Sequence, residues 1–323
     1  MRRALLLFAL AATLAACGSN GGGGGASAQN YPNRNLDWTI AFGPGGGNDI
    51  MSRQIVDVLK KENLYPRDIA VQNLEGGSGA KGWGELFADR GNPYAISTTS
   101  GSFLTTPLQA DTGWTWKDFT LVGLFATDNA VFIVPPKSGI ERWEQWVDSA
   151  KEKGTAKVGG IGTVNVDYIQ HQMLADKAGY KIDYVPFNDE GQLITSLLSG
   201  ALDAAVSNPS EVLGQIRADK LTPLLFTGKE EIEALPGVPT AESKGFTGLP
   251  TLPRGLILAP DVPEDVRQWW IDTMKKVIET PAWREYLEKN ALVEDVRWAE
   301  DFEAYMDQTA TKLENQLREL GAL

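Results

Sequence analysis

Residues 38–49 read WTIAFGPGGGND, a β-branched and aromatic run followed by a turn rich in glycine. Apolar residues then recur at helical spacing from Ile50 to Leu59, which predicts a strand, a turn and a helix with Asn48 as its N-cap. Glycines let the backbone approach a ligand closely, and the free N–H groups at a helix N-terminus favour an anion. The turn is therefore a candidate site for a carboxylate or a phosphate, with these candidate contacts: Pro44, Gly45, Gly46, Gly47, Asn48 and Asp49.

Other interpretations of this turn either remain open or fail on single residues. A turn of this composition can serve only to reach positive φ angles, without any ligand. A dinucleotide-binding loop needs a third glycine where Asn48 stands, and a nucleotide-binding P-loop needs Lys followed by Ser or Thr after its glycines. The purely structural interpretation and the anion-binding interpretation thus stand side by side.

Strand-like and helix-like segments alternate through most of the chain. Runs rich in β-branched residues stand at 69–72, 94–98, 130–134, 181–187 and 204–206, and segments with helical spacing separate most of them. The alternation predicts an α/β fold with parallel sheets, in which ligands bind beyond the carboxyl ends of the strands. The run at 94–98 ends in small hydroxyl residues, so Thr98, Thr99 and Ser100 join the candidate contacts.

The composition restricts the class of protein. The chain has 323 residues, which suggests two domains of about 150 residues each. Its net charge is −12 and it has no long basic run, so nucleic acid is not expected as a partner. One Cys and one His leave no basis for a zinc site, Cys–His catalysis or a disulfide, and no metal or cofactor is expected.

The N-terminus has the features of an export signal. A basic start precedes an apolar run at 4–16, which is too short to span a bilayer comfortably. Residues 14–17 read LAAC, which resembles a bacterial lipobox and predicts a signal peptide at 1–16 and lipidation of Cys17. An ordinary secretory signal that contains a Cys is the alternative. The glycine-rich stretch at 17–30 predicts a flexible tether, so the folded body is expected outside the cytoplasm, anchored by lipid to the cell membrane.

The glycine turn and two later segments resemble one family of binding proteins. Residues 44–53 read PGGGNDIMSR, similar to the P-G-G-x-x-D-x-x-A-R signature of the tripartite tricarboxylate transporter receptors, the TctC-like or Bug family, with Ser52 for the usual Ala. Asn73 with the glycine-rich residues 76–82 resembles a second signature of the family. Residues 236–240 read PGVPT, similar to its P-x-V-P-T segment. The resemblance covers nearly all of residues 31–323.

This resemblance implies a periplasmic-binding-protein fold of two α/β lobes joined by a hinge of crossing strands. The expected limits are 31–131 with 254–323 for lobe 1 and 132–253 for lobe 2. A receptor of this family is expected to be a non-enzymatic monomer. It would capture a small di- or tricarboxylate and deliver it to integral-membrane permease subunits. Backbone N–H groups and small hydroxyls of lobe 1 would hold one ligand carboxylate.

Carried onto this chain, the resemblance adds candidate contacts from both lobes. Lobe 1 adds Ser78 and Gly79, and lobe 2 adds Gly162, Thr163, Val164, Asn188 and Asn208. The loop of lobe 2 departs from the family's common G-x-G-S pattern, since residues 162–165 read GTVN. The contacts at the far end of the ligand are therefore left open.

Three charged residues are interpreted separately, and two of them, Asp49 and Arg254, have more than one interpretation. Asp49 beside an anion site would repel the ligand, so a capping contact with the backbone is weighed against direct ligand contact. Arg53 lies four residues later and is placed to neutralise Asp49. Arg254 is a candidate partner for a second ligand carboxylate, or else a structural or solvated residue.

Three other functions are considered as alternatives. Ser78 has the surroundings of a serine hydrolase nucleophile, but its base would have to be His171, which is expected on a helix surface. Trp114 and Trp116 lie in a predicted loop and are candidates for a rim that stacks on a sugar or an aromatic carboxylate. The tryptophans on predicted helices are expected in the core: Trp143, Trp146, Trp269 and Trp270. A sensor or scaffold without a cognate permease is the third alternative.

Overall fold

The computed structural model describes residues 30–323, so the predicted signal peptide at 1–16, Cys17 and the tether up to residue 29 lie outside the described residues. Within that range, eleven strands and ten α-helices follow one another. The strands are β1 (Leu36–Ile40), β2 (Ile69–Asn73), β3 (Ala95–Thr98), β4 (Thr120–Asp128), β5 (Val131–Val134), β6 (Ala156–Ile161), β7 (Ile182–Phe187), β8 (Ala204–Ser207), β9 (Thr222–Phe226), β10 (Leu252–Leu258) and β11 (Val293–Trp298). The helices are α1 (Gly47–Lys61), α2 (Ala80–Ala88), α3 (Gly101–Thr105), α4 (Trp143–Lys153), α5 (Val166–Ala178), α6 (Glu190–Ser199), α7 (Pro209–Arg217), α8 (Glu264–Ile278), α9 (Pro281–Lys289) and α10 (Ala299–Glu319).

The strands form two mixed sheets with helices packed against them. The first sheet has the order β11-β4-β10-β3-β1-β2 and the second has the order β7-β6-β8-β5-β9. β1 pairs parallel with β2 and β3, and β6 pairs parallel with β7 and β8. β10 runs antiparallel between β3 and β4, and β5 runs antiparallel between β8 and β9. The α/β fold is confirmed, but the sheets are mixed rather than parallel, because β5, β10 and β11 run opposite to the other strands of their sheets.

The chain passes between the two sheets at two places. β4 ends at Asp128 in the first sheet, and β5 begins at Val131 in the second. The return follows β9, and β10 begins at Leu252, which pairs with Asp128. Both crossings therefore lie beside the carboxyl ends of the parallel strands, where α/β folds bind ligands. The lobe limits expected from the sequence stay a prediction.

Aromatic side chains fill much of the core. The tryptophans on helices pack there as predicted, with Trp143, Trp146 and Trp270 buried and Trp269 partly buried. Trp114 is also buried, and its ring stacks on Phe103 with the ring centroids 5.8 Å apart. The rim position predicted for Trp114 is wrong, because its loop folds back onto this aromatic cluster. Trp116 packs partly buried against the same core.

α10 is the longest helix and covers the first sheet. Its buried residues recur at helical spacing: Phe302, Met306, Leu313 and Leu317. The opposite face of α10 is charged and exposed. Within residues 30–323, no helix combines the length and the apolar character needed to cross a membrane.

Candidate functional site

A cleft lies between the two sheets, beside the carboxyl ends of their parallel strands. It contains about 550 Å³ of space that protein atoms do not fill, a volume that includes its open mouth. The first sheet and its loops supply Phe42, Gly43, Gly46, Gly47, Asn48, Ser100, Ser102, Leu252 and Arg254. The second sheet and its loops supply Ile161, Asn165, Asp167, Asn188, Asp189, Glu190, Ser207, Asn208 and Glu211. Of the predicted contacts, the cleft brings together Gly46, Gly47, Asn48, Ser100, Asn188 and Asn208.

The N-terminus of α1 opens into this cleft. Its N-cap is Gly46, in extended conformation, and the helix begins at Gly47. The prediction of Asn48 as N-cap is wrong, because Asn48 lies inside the first turn and its Oδ1 accepts a hydrogen bond from Nη1 of Arg254 at 2.8 Å. Gly47 needs to be glycine for lack of space, since an added Cβ would lie 2.8 Å from Cζ of Arg254 and closer still to Nη2.

Arg254 connects both sides of the cleft. The side chain is 3% exposed, and its Nε donates to Oδ2 of Asp128 at 3.1 Å, while its Nη2 also contacts Asp128. Nη2 lies 3.4 Å from Oδ1 of Asn208, which follows β8 of the second sheet. Burial raises the pKa of Asp128, and the charge of Arg254 opposes that rise. The structure thus places Arg254 in the cleft wall as a buried ion pair, and its contact with a ligand stays a prediction.

Three acidic residues of the second sheet's side, which we call the acidic group, line the cleft: Asp167, Glu190 and Glu211. Glu211 accepts a hydrogen bond from the backbone N–H of Gly47, across the cleft. Ser207 donates its hydroxyl to Oε1 of Glu190 at 2.5 Å, and the same hydroxyl lies 3.3 Å from Oε2 of Glu211. Oδ2 of Asp167 accepts from the backbone N–H of Ile161 at 2.7 Å. One carboxylate of the chain therefore already occupies the N-terminus of α1.

Sequence reasoning missed the acidic group. Glu190 and Glu211 stand two and three positions after the predicted contacts Asn188 and Asn208. The sequence analysis thus identified the strand ends but not the acidic residues at the start of the helices that follow them. Burial raises the pKa of Asp167 to about 7. Burial also raises the pKa of Glu190 well above its usual value, with a further rise from the neighbouring charge of Glu211. Across residues 30–323, no set of three or more His, Cys, Asp or Glu side chains is arranged to hold a metal ion.

The remaining residues of the glycine turn stabilise the turn itself. Pro44 and Gly45 are exposed outside the cleft. The carboxylate of Asp49 accepts from the backbone N–H of Gly45 at 3.0 Å, from Nε of Arg53 at 2.8 Å and from Nδ2 of Asn73 at 3.0 Å. The predicted pairing of Arg53 with Asp49 is thus present. These contacts favour a capping role for Asp49, whose direct contact with a ligand stays a prediction.

The three residues that follow β3 have different surroundings. Thr99 is buried and its hydroxyl bonds to β10, donating to the carbonyl of Pro253 at 3.2 Å and accepting from the N–H of Gly255 at 3.0 Å. Thr98 is buried with no hydrogen-bond partner for its hydroxyl among the described residues. Ser100 lines the cleft, and its hydroxyl likewise has no partner in the described chain. Ser100 is therefore the residue of this group that is free to bind a ligand.

The loops at Ser78 and at 162–164 contact each other beside the cleft. Oγ of Ser78 accepts from the backbone N–H of Thr163 at 3.1 Å, and Val164 accepts from the side chain of Gln109. Gly162 has φ +80°, which favours glycine at this turn. Gly79 caps α2, and an added Cβ there would lie 2.6 Å from Cε3 of Trp83 and closer still to Cζ3. These predicted contacts thus join the two lobes rather than line the cavity.

His171 is buried in the second lobe, so the expected surface position is wrong. Its Nε2 lies 3.0 Å from the carbonyl oxygen of Gly159, and its ring packs 5.4 Å from that of Phe132. Burial lowers its pKa to about 4. Helix α5 turns this residue toward the sheet, whereas Ser78 faces Thr163. The two residues of the hydrolase alternative therefore have separate structural roles.

Known proteins resemble this chain along most of its length. The family model described as tripartite tricarboxylate transporter family receptor matches residues 51–321 of this chain. A UPF0065 protein in the gbd 5'region of Cupriavidus necator is 23% identical over 314 residues, covering 97% of this chain and 95% of its own. The periplasmic binding protein BugD has a TM-score of 0.83 at 18% identity, over 90% of this chain and 99% of its own. MatC from Rhodopseudomonas palustris, solved with bound malate, has a TM-score of 0.80 at 17% identity, over 89% and 100%.

The family match covers well over half of the chain, and the structural neighbours have the same two-sheet fold. These proteins are solute-binding proteins and not enzymes, which confirms both the predicted family and the predicted absence of catalysis. The chain belongs to the tripartite tricarboxylate transporter receptors, the TctC or Bug family of solute-binding proteins.

Proposed function

We propose that this protein is an extracytoplasmic receptor that captures a small di- or tricarboxylate in the cleft and delivers it to the permease subunits of a tripartite tricarboxylate transporter. The observation that carries the proposal is the N-terminus of α1, which opens into a cavity lined by both sheets. The N–H groups of its first turn and its positive dipole favour an anion. The bound malate of MatC, a neighbour in fold, agrees with a carboxylate ligand.

Glu211 supports the assignment of the anion position. Its carboxylate accepts from the N–H of Gly47, so the chain itself places an anion where a ligand carboxylate is expected. A ligand carboxylate would replace Glu211 at Gly47 and would gain a second donor from the hydroxyl of Ser100, which also lines the cleft. The ligand therefore competes with an internal carboxylate.

Closure of the lobes is the second part of the proposal. The first segment that joins the sheets, residues 129–130, is short. The contacts of Ser78 with Thr163 and of Arg254 with Asn208 span the cleft. A hinge at the crossings would open these contacts and admit the ligand. The closed receptor, acting as a monomer, would then dock on the permease.

Membrane attachment is the third part of the proposal. Residues 14–17, LAAC, support lipidation of Cys17 after removal of residues 1–16. Mass spectrometry of the protein from its native membrane tests this: a diacylglyceryl group on Cys17 is expected, and an unmodified Cys17 would contradict the anchor.

Thermal-shift and calorimetric titrations with carboxylates, phosphates and sugars test the ligand class. Di- or tricarboxylates are expected to raise the melting temperature, and above the Kd the rise should follow the logarithm of ligand concentration, because they bind only the folded state. Stabilisation by sugars alone would contradict the carboxylate assignment. Stabilisation by aromatic carboxylates alone would support the alternative in which the same fold binds an aromatic acid.

A further inference from the structure

Helix α5 of the second lobe is buried on two faces. Leu174 and Ala175 pack in the core of the second lobe. Val166 and Ile169 are fully buried as well, but they belong to the core built on the first sheet. Met173 packs partly buried against that same core. Because residues 166, 169 and 173 lie on one side of the helix, that side of α5 is embedded in the other lobe.

The contact between α5 and α3 leaves no room for a side chain at Gly101. A Cβ added at Gly101 would overlap Cγ2 of Val166 and would lie 3.3 Å from the Cβ of Val166. Gly101 has no positive φ angle, so its backbone conformation does not require glycine. The smallest residue therefore stands where the two helices meet, and the two lobes are closely packed at this point.

The same contact lies beside the second crossing between the sheets, residues 227–251. On α5, Nε2 of Gln170 donates to the carbonyl oxygen of Pro250 at 2.7 Å. On α10, Nε2 of Gln316 donates to the carbonyl oxygen of Gly248 at 3.1 Å and lies 3.4 Å from the sulfur of Met173. Points close to a rotation axis move least when two bodies turn. A hinge at the crossings would therefore displace α5 less than it displaces the mouth of the cleft.

At the cleft, by contrast, the lobes meet through polar contacts. Glu211 accepts a hydrogen bond from the N–H of Gly47, and Ser78 accepts one from the N–H of Thr163. Water replaces such hydrogen bonds when the groups separate, so the net cost of breaking them is small. Separating α5 from the first lobe would instead expose its buried apolar side to water, which the hydrophobic effect opposes.

We propose that the contact of α5 with α3 and α10 persists while the clamp opens, so that α5 is the pivot of the hinge motion. The polar contacts at the cleft then separate, while the apolar side of α5 stays buried. This inference rests on the hinge motion in the proposed function and specifies which contact between the lobes does not open. It concerns how the lobes move and is independent of which solute they bind.

Two engineered disulfides separate the pivot from the mouth. The Cβ atoms of residues 101 and 166 would lie 3.3 Å apart, and a Cβ added at Gly43 would lie 3.6 Å from that of Asp189, on the facing wall of the cleft. Both separations are close to the range of about 3.5–4.5 Å in disulfides. Gly101→Cys with Val166→Cys fastens the pivot, and Gly43→Cys with Asp189→Cys fastens the mouth. Peptide mass spectrometry identifies the oxidised proteins in which the bond joins the two introduced thiols rather than Cys17.

Calorimetry with malate, citrate and adipate compares the oxidised and reduced forms of each variant. The oxidised 101–166 variant is expected to bind with a Kd within about threefold of its reduced form. The oxidised 43–189 variant is expected to lose binding, and reduction should restore it, because a solute cannot enter a cleft that is held closed. Loss of binding in the oxidised 101–166 variant, restored by reduction, would overturn the inference. Unhindered binding in both oxidised variants would also overturn it, since no opening would then be needed.

Thiol modification tests the pivot without any solute, so it separates this inference from the proposed function. If none of the three acids binds even the wild type, that result counts against the proposed ligand and not against the pivot. Val166→Cys lies on the pivot, and Leu174→Cys, in the core of the second lobe, is its matched control; both positions are fully buried. If the pivot stays closed, both thiols react with N-ethylmaleimide only on unfolding, and their rates should agree within about threefold. Modification of Val166→Cys more than about tenfold faster than Leu174→Cys would show that α5 leaves the first lobe, and would overturn the inference.

Discussion

Substitution of Gly47 by Ala tests whether the N-terminus of α1 and Arg254 form one rigid unit. Gly47 has no positive φ angle, so alanine suits its backbone, and helix propensity alone would favour the change by about 0.5–1 kcal/mol. The added Cβ, however, would lie 2.8 Å from Cζ of Arg254, 3.2 Å from Nη1 and closer still to Nη2. Arg254 is not a flexible end that can move aside, because Asp128 and Asn48 hold it in a buried position.

The expected result is a net loss of stability. Overpacking a well-ordered site costs about 1–3 kcal/mol, which exceeds the gain in propensity, so Gly47→Ala should lower the free energy of unfolding by about 1–2 kcal/mol. Urea denaturation measures this quantity. Gly214→Ala is the matched control, because Gly214 lies inside α7 with no atom within 4 Å of an added Cβ. That control should gain about 0.5–1 kcal/mol. If Gly47→Ala gains as much as Gly214→Ala, Arg254 is not fixed and the argument for a rigid anion site is wrong.

Three further predictions concern the ion pair, the buried histidine and the contact between lobes. Arg254→Met should lower the free energy of unfolding by about 3–5 kcal/mol, because it leaves the buried carboxylate of Asp128 unpaired. Adding Asp128→Leu should recover much of this loss, as measured by urea denaturation. A double variant as unstable as the single one would refute this account. His171 has its pKa lowered to about 4 from an ordinary value of 6.5, so the unfolded state binds its proton first. Its contribution to stability is present above pH 6.5, and about 3 kcal/mol of it is lost as the pH falls toward 4. The stability difference between wild type and His171→Phe should therefore change with pH over that window, and a constant difference would count against this account. Ser78→Ala removes the acceptor for the N–H of Thr163 across the cleft. Ligand affinity measured by calorimetry should therefore fall about threefold to tenfold, while the melting temperature without ligand changes little. Equal affinity in the variant would show that this contact does not favour closure.

Local signals in the sequence predict some elements to the residue. Both ends of helix α5 are encoded locally. The side chain of Asn165 accepts from the N–H groups of Asp167 and Tyr168, and Gly179 ends the helix with φ +77°. Strand β4 has no such signals, since it is buried along most of its length and lacks alternation. Its pairing with β10 joins residues far apart in the chain, which periodicity does not detect.

In the candidate site, too, the part encoded by contiguous residues was predicted and the part assembled by tertiary packing was not. The approach of α1 to the cleft was predicted because glycine turn, strand and helix are contiguous in the sequence. The acidic group comes from the starts of three separate helices, α5, α6 and α7, and only the packing of the second sheet brings these carboxyls together. In the sequence alone, an acidic residue in the first turn of a helix is ordinary, because it favours the helix dipole. Its burial in a cavity is a tertiary property.

Arg254 connects the ligand-binding helix to the proposed hinge between the lobes. Asp128 is the last residue of β4, at the first crossing between the sheets, and Arg254 is the third residue of β10, just after the second. Their ion pair therefore fastens the two crossings to each other. The same guanidinium group bonds to Asn48 on the ligand-binding helix and contacts Asn208 on the opposite lobe. A solute that reaches Asn48 thus alters the hydrogen bonds of the group that connects the lobes, so in the proposed mechanism the free energy of binding acts on closure through one buried side chain.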